Sequence, residues 1–351
     1  MHMRITTPSR LHFGLIDFNG NLGRIDGGSG VAISNPRNVL TIKPGNKFLV
    51  NCPNDTSTAP EGIEKIARGI CDKLGKPLPD LEITIEEEIP AHAGFGSKTQ
   101  MSLALAYAIC KEYDLPYNGI EGLARLVGRG GTSGIGVRAF DKGGFILDCG
   151  HSFGEGKEKS SCLPSSASKA RPAPQVMRCD IPEDWRFVLV MPVGDEGSHG
   201  KSEVDIFQSS FPINEAEIGR VCRIVLMQLV PGILEKDIVT FGGAISKIQE
   251  IGFKNIEVKM KSPLVPNMLS IMNHAGSYGS GMSSFGPTVY GLTNSNKKAL
   301  EIQNAVSDYL SDLDIKHQCW IAEPNNQGMW AKKLTAERHI ISPIPVPEEL
   351  I

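Results

Sequence analysis

The residues best suited to chemistry lie in one short stretch, Pro90-Ala91-His92-Ala93-Gly94-Phe95-Gly96-Ser97-Lys98-Thr99-Gln100. Gly94 and Gly96 flank one apolar residue. Small hydroxylated and cationic residues follow, and the apolar run Met101-Ser102-Leu103-Ala104-Leu105-Ala106-Tyr107-Ala108 reads as a helix. The preceding segment, Leu81-Glu82-Ile83-Thr84-Ile85, alternates as a strand does. A strand, a glycine-rich loop and a helix start together build an anion hole. The glycines let backbone approach a phosphate, the free N–H groups of the first helical turn point at it, and the helix dipole adds about half a positive charge. Lys98 adds a full one. Gly94, Gly96, Ser97, Lys98, Thr99 and Gln100 are therefore the candidate binding set for a phosphorylated small molecule. A plain tight turn is the competing reading of such a junction. The Walker loop is excluded by the glycine spacing, and the dinucleotide loop by the missing third glycine.

The elements that must carry this loop follow from the rest of the chain. Its 351 residues suffice for two packed domains. Charged residues at 21% and hydrophobic residues at 40% are ordinary for a globular protein. A net charge of -3, with no basic run and no zinc-finger spacing, gives no reason to expect nucleic acid. Eight scattered cysteines without a Cys-x-x-Cys pair suit reduced thiols in a cytoplasm. No apolar stretch approaches the ~18 residues of a membrane span, and no signal peptide is visible, so no membrane partner is expected.

Residues 3 to about 50 read as strands and tight turns. An amphipathic helix over 61–75 puts Ile63, Ile66, Ala67, Ile70 and Leu74 on one face and stops at Gly75. Helices are expected at 98–113 and 119–129, and a strand at 143–148. Residues 154–175, rich in Gly, Lys, Ser, Ala and Pro, read as a loop and mark the boundary between domains at 1–175 and 176–351. Beyond it come a strand at 186–191, helices at 214–230, 235–251 and 263–274, a strand at 288–292, a helix at 297–310 and a strand near 318–321. The proline-rich tail 341–351 reads as extended. Strands and helices segregate in runs, which favours an α+β fold over a doubly wound one.

Three segments resemble the motifs of the GHMP small-molecule kinases. Pro90–Gln100 resembles their phosphate loop. Gly279-Ser280-Gly281-Met282-Ser283-Ser284-Phe285-Gly286-Pro287-Thr288-Val289 resembles their C-terminal glycine motif, and Ser9-Arg10-Leu11-His12-Phe13-Gly14 lies where their first motif lies. The resemblance implies a two-domain GHMP-kinase-like fold, with an N-terminal α/β domain carrying the phosphate loop and a C-terminal ferredoxin-like α+β domain. Two departures stand out. Gly96-Ser97-Lys98-Thr99 replaces the kinases' common Gly-Ser-Ser-Ala, and Gly136 follows Ser133-Gly134-Ile135 where many kinases carry a catalytic aspartate. A hydroxyl nucleophile loses its general base there. The longer runs Ser9–Gly28 and Arg129-Gly130-Gly131-Thr132-Ser133-Gly134-Ile135-Gly136 resemble the β-ribofuranosylaminobenzene 5′-phosphate synthases, a branch of that superfamily found in methanogens and relatives.

That resemblance implies a step of methanopterin synthesis. Phosphoribosyl diphosphate condenses with 4-aminobenzoate or 4-hydroxybenzoate, carbon dioxide and diphosphate leave, and magnesium takes part. A homodimer is a family-level expectation. Such a reaction needs a cradle for the leaving diphosphate, which the loop and Lys98 supply. It needs an arginine for the carboxylate, from Arg10, Arg24, Arg129 or Arg138. It also needs a negative group at the ribosyl cation or the metal, for which Asp17 and Asp26 are the candidates. Thr132 and Ser133 join the substrate set. Strand alternation puts Arg24 and Asp26 on one face, with Ile25 behind them. A solvent-exposed pair is the alternative for these two, and a turn cap the alternative for Asp17. His12 faces away from Leu11 and Phe13, and a core histidine and a catalytic one suit that position equally. His151 and His199 are not placed by the sequence. An ATP-dependent small-molecule kinase and a non-catalytic sensor on the same scaffold are the competing functions.

Overall fold

The computed structural model describes residues 2–53, 58–164, 167–194, 201–261 and 263–334; His199 and the tail 341–351 lie outside them. Two long strands, β1 (Met3–Asp17) and β2 (Arg24–Pro44), form an antiparallel hairpin at the centre of the first sheet. β3 (Leu49–Asn51), α1 (Pro60–Leu74) and β4 (Leu81–Glu87) follow. Gly75, in the left-handed conformation expected of a C-cap glycine, ends α1. Then come α2 (Ser97–Glu112), α3 (Gly119–Val127), α4 (Ile135–Lys142), β5 (Phe145–Asp148), β6 (His151–Ser152) and β7 (Gln175–Cys179).

The second half runs β8 (Arg186–Pro192), α5 (Lys201–Ser209), α6 (Glu215–Ile224), α7 (Val230–Leu234), α8 (Ile238–Gln249), α9 (Gly252–Lys259) and α10 (Leu264–His274). It closes with β9 (Gly279–Met282), β10 (Val289–Thr293), α11 (Asn296–Asp312), β11 (His317–Ala322) and β12 (Trp330–Lys333). Its four strands form an antiparallel sheet in the order β11-β8-β10-β9. That order is ferredoxin-like, and α10 and α11 cover one face. The helix expected over 214–230 is interrupted by one wider turn at Val225–Leu229. Pro231 has no N–H to continue the ladder, and the Val230 amide bonds instead to the Val225 carbonyl.

The first sheet, in the order β12-β1-β2-β4-β3 with β5, β6 and β7 alongside, draws chain from both sides of the expected boundary. β7 straddles residue 175 and pairs with β5, while β12 returns from the end of the second half to pair with β1, Met3 opposite Lys333. Helices α4, α5 and α9, none of which was expected from periodicity, are each about two turns long. A pattern that short carries little signal.

The largest core is shared by the two halves. Leu11, Phe13, Val31 and Phe145 of the first sheet meet Trp185, Phe187, Leu189, Phe241 and Tyr290 of the second half. The Phe241 ring lies within 5.1–5.9 Å of the rings of Phe13, Phe145 and Trp185. Phe241→Ala should therefore lower stability by about 3–5 kcal/mol, read as a fall in the chemical-denaturation midpoint. A shift below 1 kcal/mol would mean that the halves are held together elsewhere.

Candidate active site

Three motifs distant in sequence meet at the Gly94 carbonyl. It accepts a hydrogen bond from Ser283 Oγ at 2.7 Å and another from the Arg10 guanidinium. The Arg10 amide donates to the Phe95 carbonyl at 3.1 Å. Ser283 Oγ also accepts from the His12 amide at 3.1 Å, and the Ser284 amide donates to the His12 carbonyl. Gly94 is left-handed at φ 83°, and a Cβ there would stand 2.3 Å from the Ser283 carbonyl oxygen. Only glycine fits so close an approach.

Past this junction Gly96, at φ 80°, starts α2 without any side-chain cap; the Thr99 amide turns back to the Gly96 carbonyl at 3.0 Å, which leaves the Ser97 and Lys98 amides for a ligand. Lys98 is exposed, and its pKa is lowered first by Arg129, then by partial burial and by Lys65 of α1. The fold thus brings Lys98 and Arg129 together beside the α2 N-terminus and adds Lys65, which no motif singled out. A cation made less favourable by other cations is stabilised by an anion. Gly136, in the first turn of α4, faces the same place: a Cβ on it would touch Thr99 at 3.4 Å. Gln100 is buried and ties α2 to α4 by donating to the Gly136 carbonyl at 2.7 Å.

The second glycine cluster is held from beneath by Asp148, a residue that sequence reading left out. Its carboxylate accepts from the amides of Gly134 at 2.9 Å and Gly150 at 3.0 Å. Burial raises its pKa to about 6, against the pull of those two amides. Ser133 Oγ accepts from the Ile135 amide at the start of α4, and Thr132 Oγ1 donates to the Leu163 carbonyl, anchoring the 154–175 segment. Arg138 pairs with Glu121 at 2.7 Å.

The Arg24–Asp26 expectation is corrected. Arg24 is exposed and donates to the carbonyls of Cys149 at 2.9 Å and Gly150 at 2.8 Å. Asp26 is buried, 2% exposed. Its left-handed backbone, at φ 70°, breaks the alternation on which a shared face depends. The Asp26 carboxylate is held by His151 Nδ1 at 2.7 Å and Lys159 Nζ at 2.8 Å, both buried. Asp17 caps its turn, one oxygen accepting the amides of Asn19 and Gly20 at 2.8 Å each. Asp26, filled by a lysine and a histidine, does not fit a magnesium ligand. Among the described residues no cluster of three or more His, Cys, Asp or Glu is arranged for a metal.

Beside the junction lies a buried polar group that the sequence hid. Lys254 of α9, 1% exposed, pairs with Glu257 at 2.9 Å and donates to the Ser284 carbonyl at 2.6 Å. A Lys–Glu pair at i,i+3 reads as a surface bridge; here the neighbouring Phe253 stacks on Phe18, 4.2 Å between centroids, and packs on Phe207 and Phe285, and the pair is buried. Burial lowers the Arg10 pKa to about 10, an effect that Glu257 opposes. A separate cavity of about 480 Å³ lies at the seam of the two sheets, lined by Asn35, Arg37, Glu87, His92, Gln318 and Trp320 among others. It touches the loop only at Pro90–Ala93, so it is not the anion cradle.

Comparison with known proteins agrees with this geometry. Residues 62–144 match the family described as GHMP kinases N terminal domain, and residues 229–312 match GHMP kinases C terminal. A "Beta-ribofuranosylphenol 5'-phosphate synthase" of Methanothermobacter thermautotrophicus is 41% identical over 315 residues, 87% of this chain and 92% of the relative. One of the same description from Methanocaldococcus jannaschii is 39% identical over 336 residues, 93% of this chain and 99% of the relative. Among solved structures, L. major mevalonate kinase aligns with a TM-score of 0.66 at 15% identity, covering 92% of this chain and 96% of that one, a likeness of fold.

Asp26→Asn should lower stability by about 3–5 kcal/mol, because it strands the buried Lys159 charge. The double variant with Lys159→Met should recover part of that loss. Equal denaturation midpoints for the single variant and the unaltered protein would return Asp26 to the list of ligand-facing groups.

Proposed function

The chain belongs to the family of β-ribofuranosylphenol 5′-phosphate synthases, built on the GHMP kinase fold, and from that membership we propose that it joins phosphoribosyl diphosphate to 4-hydroxybenzoate. It is a pentosyl-transferring enzyme rather than a kinase. The phenol in the relatives' name favours 4-hydroxybenzoate over 4-aminobenzoate, since the aromatic product keeps its para substituent. The observation that carries the reading is an anion cradle at the α2 N-terminus with Gly136 facing it. The charge needed to hold a diphosphate is present, and the carboxylate that would activate an alcohol for phosphoryl transfer is not.

In this reading the ring carbon that bears the carboxylate attacks the ribosyl C1. The C1–oxygen bond breaks with its electron pair leaving on diphosphate. Carbon dioxide then departs, and the pair of the broken carbon–carbon bond restores the aromatic ring. Ser97, Lys98, Thr99, Arg129 and the first-turn amides of α2 receive the leaving charge. Arg10 gives one N–H to Gly94 and turns the rest of its fork to the benzoate carboxylate. Among the described residues no cluster is arranged to hold magnesium, so the ion would be held by the diphosphate oxygens and would offset the leaving charge; activity lost to a chelator and restored by added magnesium would support that. We place the enzyme in a reducing cytoplasm. Its eight cysteines are free, and among the described residues no helix is long and apolar enough to cross a membrane. A homodimer remains part of the proposal, to be checked by light scattering.

The protein should release labelled carbon dioxide from carboxyl-labelled 4-hydroxybenzoate only when phosphoribosyl diphosphate is present. ADP formation from ATP and a metabolite alcohol, with no carbon dioxide, would replace this reading by the kinase one. Lys98→Ala should raise the KM for phosphoribosyl diphosphate about 10- to 100-fold, the usual worth of a charge-assisted hydrogen bond, with the melting temperature nearly unchanged. An unmoved KM would make Lys98 a solvated helix residue.

A further inference from the structure

His12 is 7% exposed, and neither of its ring nitrogens has a hydrogen-bond partner among the described residues. Leaving a buried imidazole unpaired in this way is costly, and native structures rarely keep one without a use for it. Its surroundings are small and polar. A Cβ on Gly28 would stand 3.1 Å from His12 Nε2 and 3.6 Å from Ser133 Oγ, so glycine at 28 keeps that side of the ring clear. The strand bulges at this residue, with a register shift between His12 and Gly14. Bulges of this kind re-aim side chains beside active sites.

The charged groups that face the ring are Arg10 on its own strand and Lys254 on α9, which holds its partner Glu257. Burial, Arg10 and Lys254 all push the His12 pKa well below its usual value, so the ring is neutral. A cationic imidazole would suit a phosphate. A neutral one, which can accept a hydrogen bond, suits a hydroxyl. Arg10 and His12 are two residues apart on one strand, about 6.7 Å along the strand axis, which is comparable to the length of a para-substituted benzoate.

We propose that His12 receives the para hydroxyl of the aromatic acid whose carboxylate meets Arg10, accepting its hydrogen bond and then its proton as the carbon–carbon bond forms. The phenol O–H bond breaks, and its electron pair feeds through the ring into the new bond at the ribosyl C1 while diphosphate leaves. When carbon dioxide departs, the electron pair returns to the oxygen, which takes the proton back from His12. The two anionic substrates offset the repulsion from Arg10 and Lys254 that keeps the imidazole neutral in their absence. This inference rests on the transferase reading and adds to it the recognition of the phenol.

The test compares His12→Asn with the unaltered enzyme on 4-hydroxybenzoate and on a ring-fluorinated 4-hydroxybenzoate whose phenol is ionised at the assay pH. The variant should lose about 100-fold in kcat/KM on 4-hydroxybenzoate, the low end of what a general base contributes. The loss should be about tenfold or less on the ionised analogue, and the KM for phosphoribosyl diphosphate should stay unchanged. Equal losses on both substrates, or no loss, would overturn the proposal. A purely structural role predicts equal losses. A second measurement needs no variant: benzoate and 4-methoxybenzoate, which lack the hydroxyl proton, should inhibit the unaltered enzyme at least about tenfold more weakly than 4-hydroxyphenyl analogues of matched size. Equal inhibition would overturn it as well. If the unaltered enzyme releases no carbon dioxide from either acid, the transferase reading itself falls and this inference with it.

Discussion

One carbonyl oxygen, that of Gly94, holds the site together. It is the acceptor for Arg10 from the first strand and for Ser283 from the C-terminal glycine motif. The first strand, the phosphate loop and the second half of the chain are fixed to one another within a few ångströms. The contact leaves no room for a side chain on Gly94. The glycines of the loop therefore answer to two demands at once. Gly96 opens a helix whose N-terminus is left for an anion, and Gly94 lets another stretch of the protein press against the loop from behind. A cradle built this way is rigid before any ligand arrives, and preorganised charge is what stabilises a leaving group.

Two buried ionic groups sit on either side of this junction and differ in what they do. Asp26, His151 and Lys159 satisfy one another away from the loop, pinning the 149–163 segment to the first hairpin. Lys254 and Glu257 lie against the glycine motif and within reach of Arg10, and Lys254 adds to the burial and the Arg10 charge that lower the His12 pKa. Buried pairs contribute little net stability, since desolvation offsets most of their attraction. Their worth here is positional. The first fixes a loop, and the second braces the C-terminal glycine motif through the Lys254 bond to the Ser284 carbonyl.

The scaffold is shared with phosphoryl-transfer enzymes at about 15% identity, so the fold alone does not choose the reaction. The choice lies in a few side chains around the α2 N-terminus. Gly136 places no carboxylate in the first turn of α4 at a point facing Thr99. Lys98, Arg129 and Lys65 gather cationic charge at the same end of α2. The result favours departure of a charged leaving group over activation of a nucleophilic hydroxyl.

The sequence by itself determined what depends on local spacing. The glycine-rich loop, the helix behind it and the glycine stop at residue 75 follow from residues adjacent in the chain or arranged in period, while the family and the ferredoxin-like second half were legible only through the resemblance of short motifs. Short helices such as α4, α5 and α9 escaped because two turns carry too little pattern. Tertiary structure alone decided the rest. Strand alternation put Arg24 and Asp26 together, but a left-handed residue at 26 turns them apart, and backbone sign cannot be read from an aspartate. Asp148, Lys159 and Lys254 look like surface charges in the sequence; burial in the fold makes the first a helix anchor, pairs the second with Asp26 from the first hairpin and turns the Lys254–Glu257 pair inward. His12 was ambiguous because alternation gives only the face on which a side chain lies. Whether that face gives the ring a partner or leaves it unpaired is settled by packing between halves of the chain that the sequence keeps some 270 residues apart.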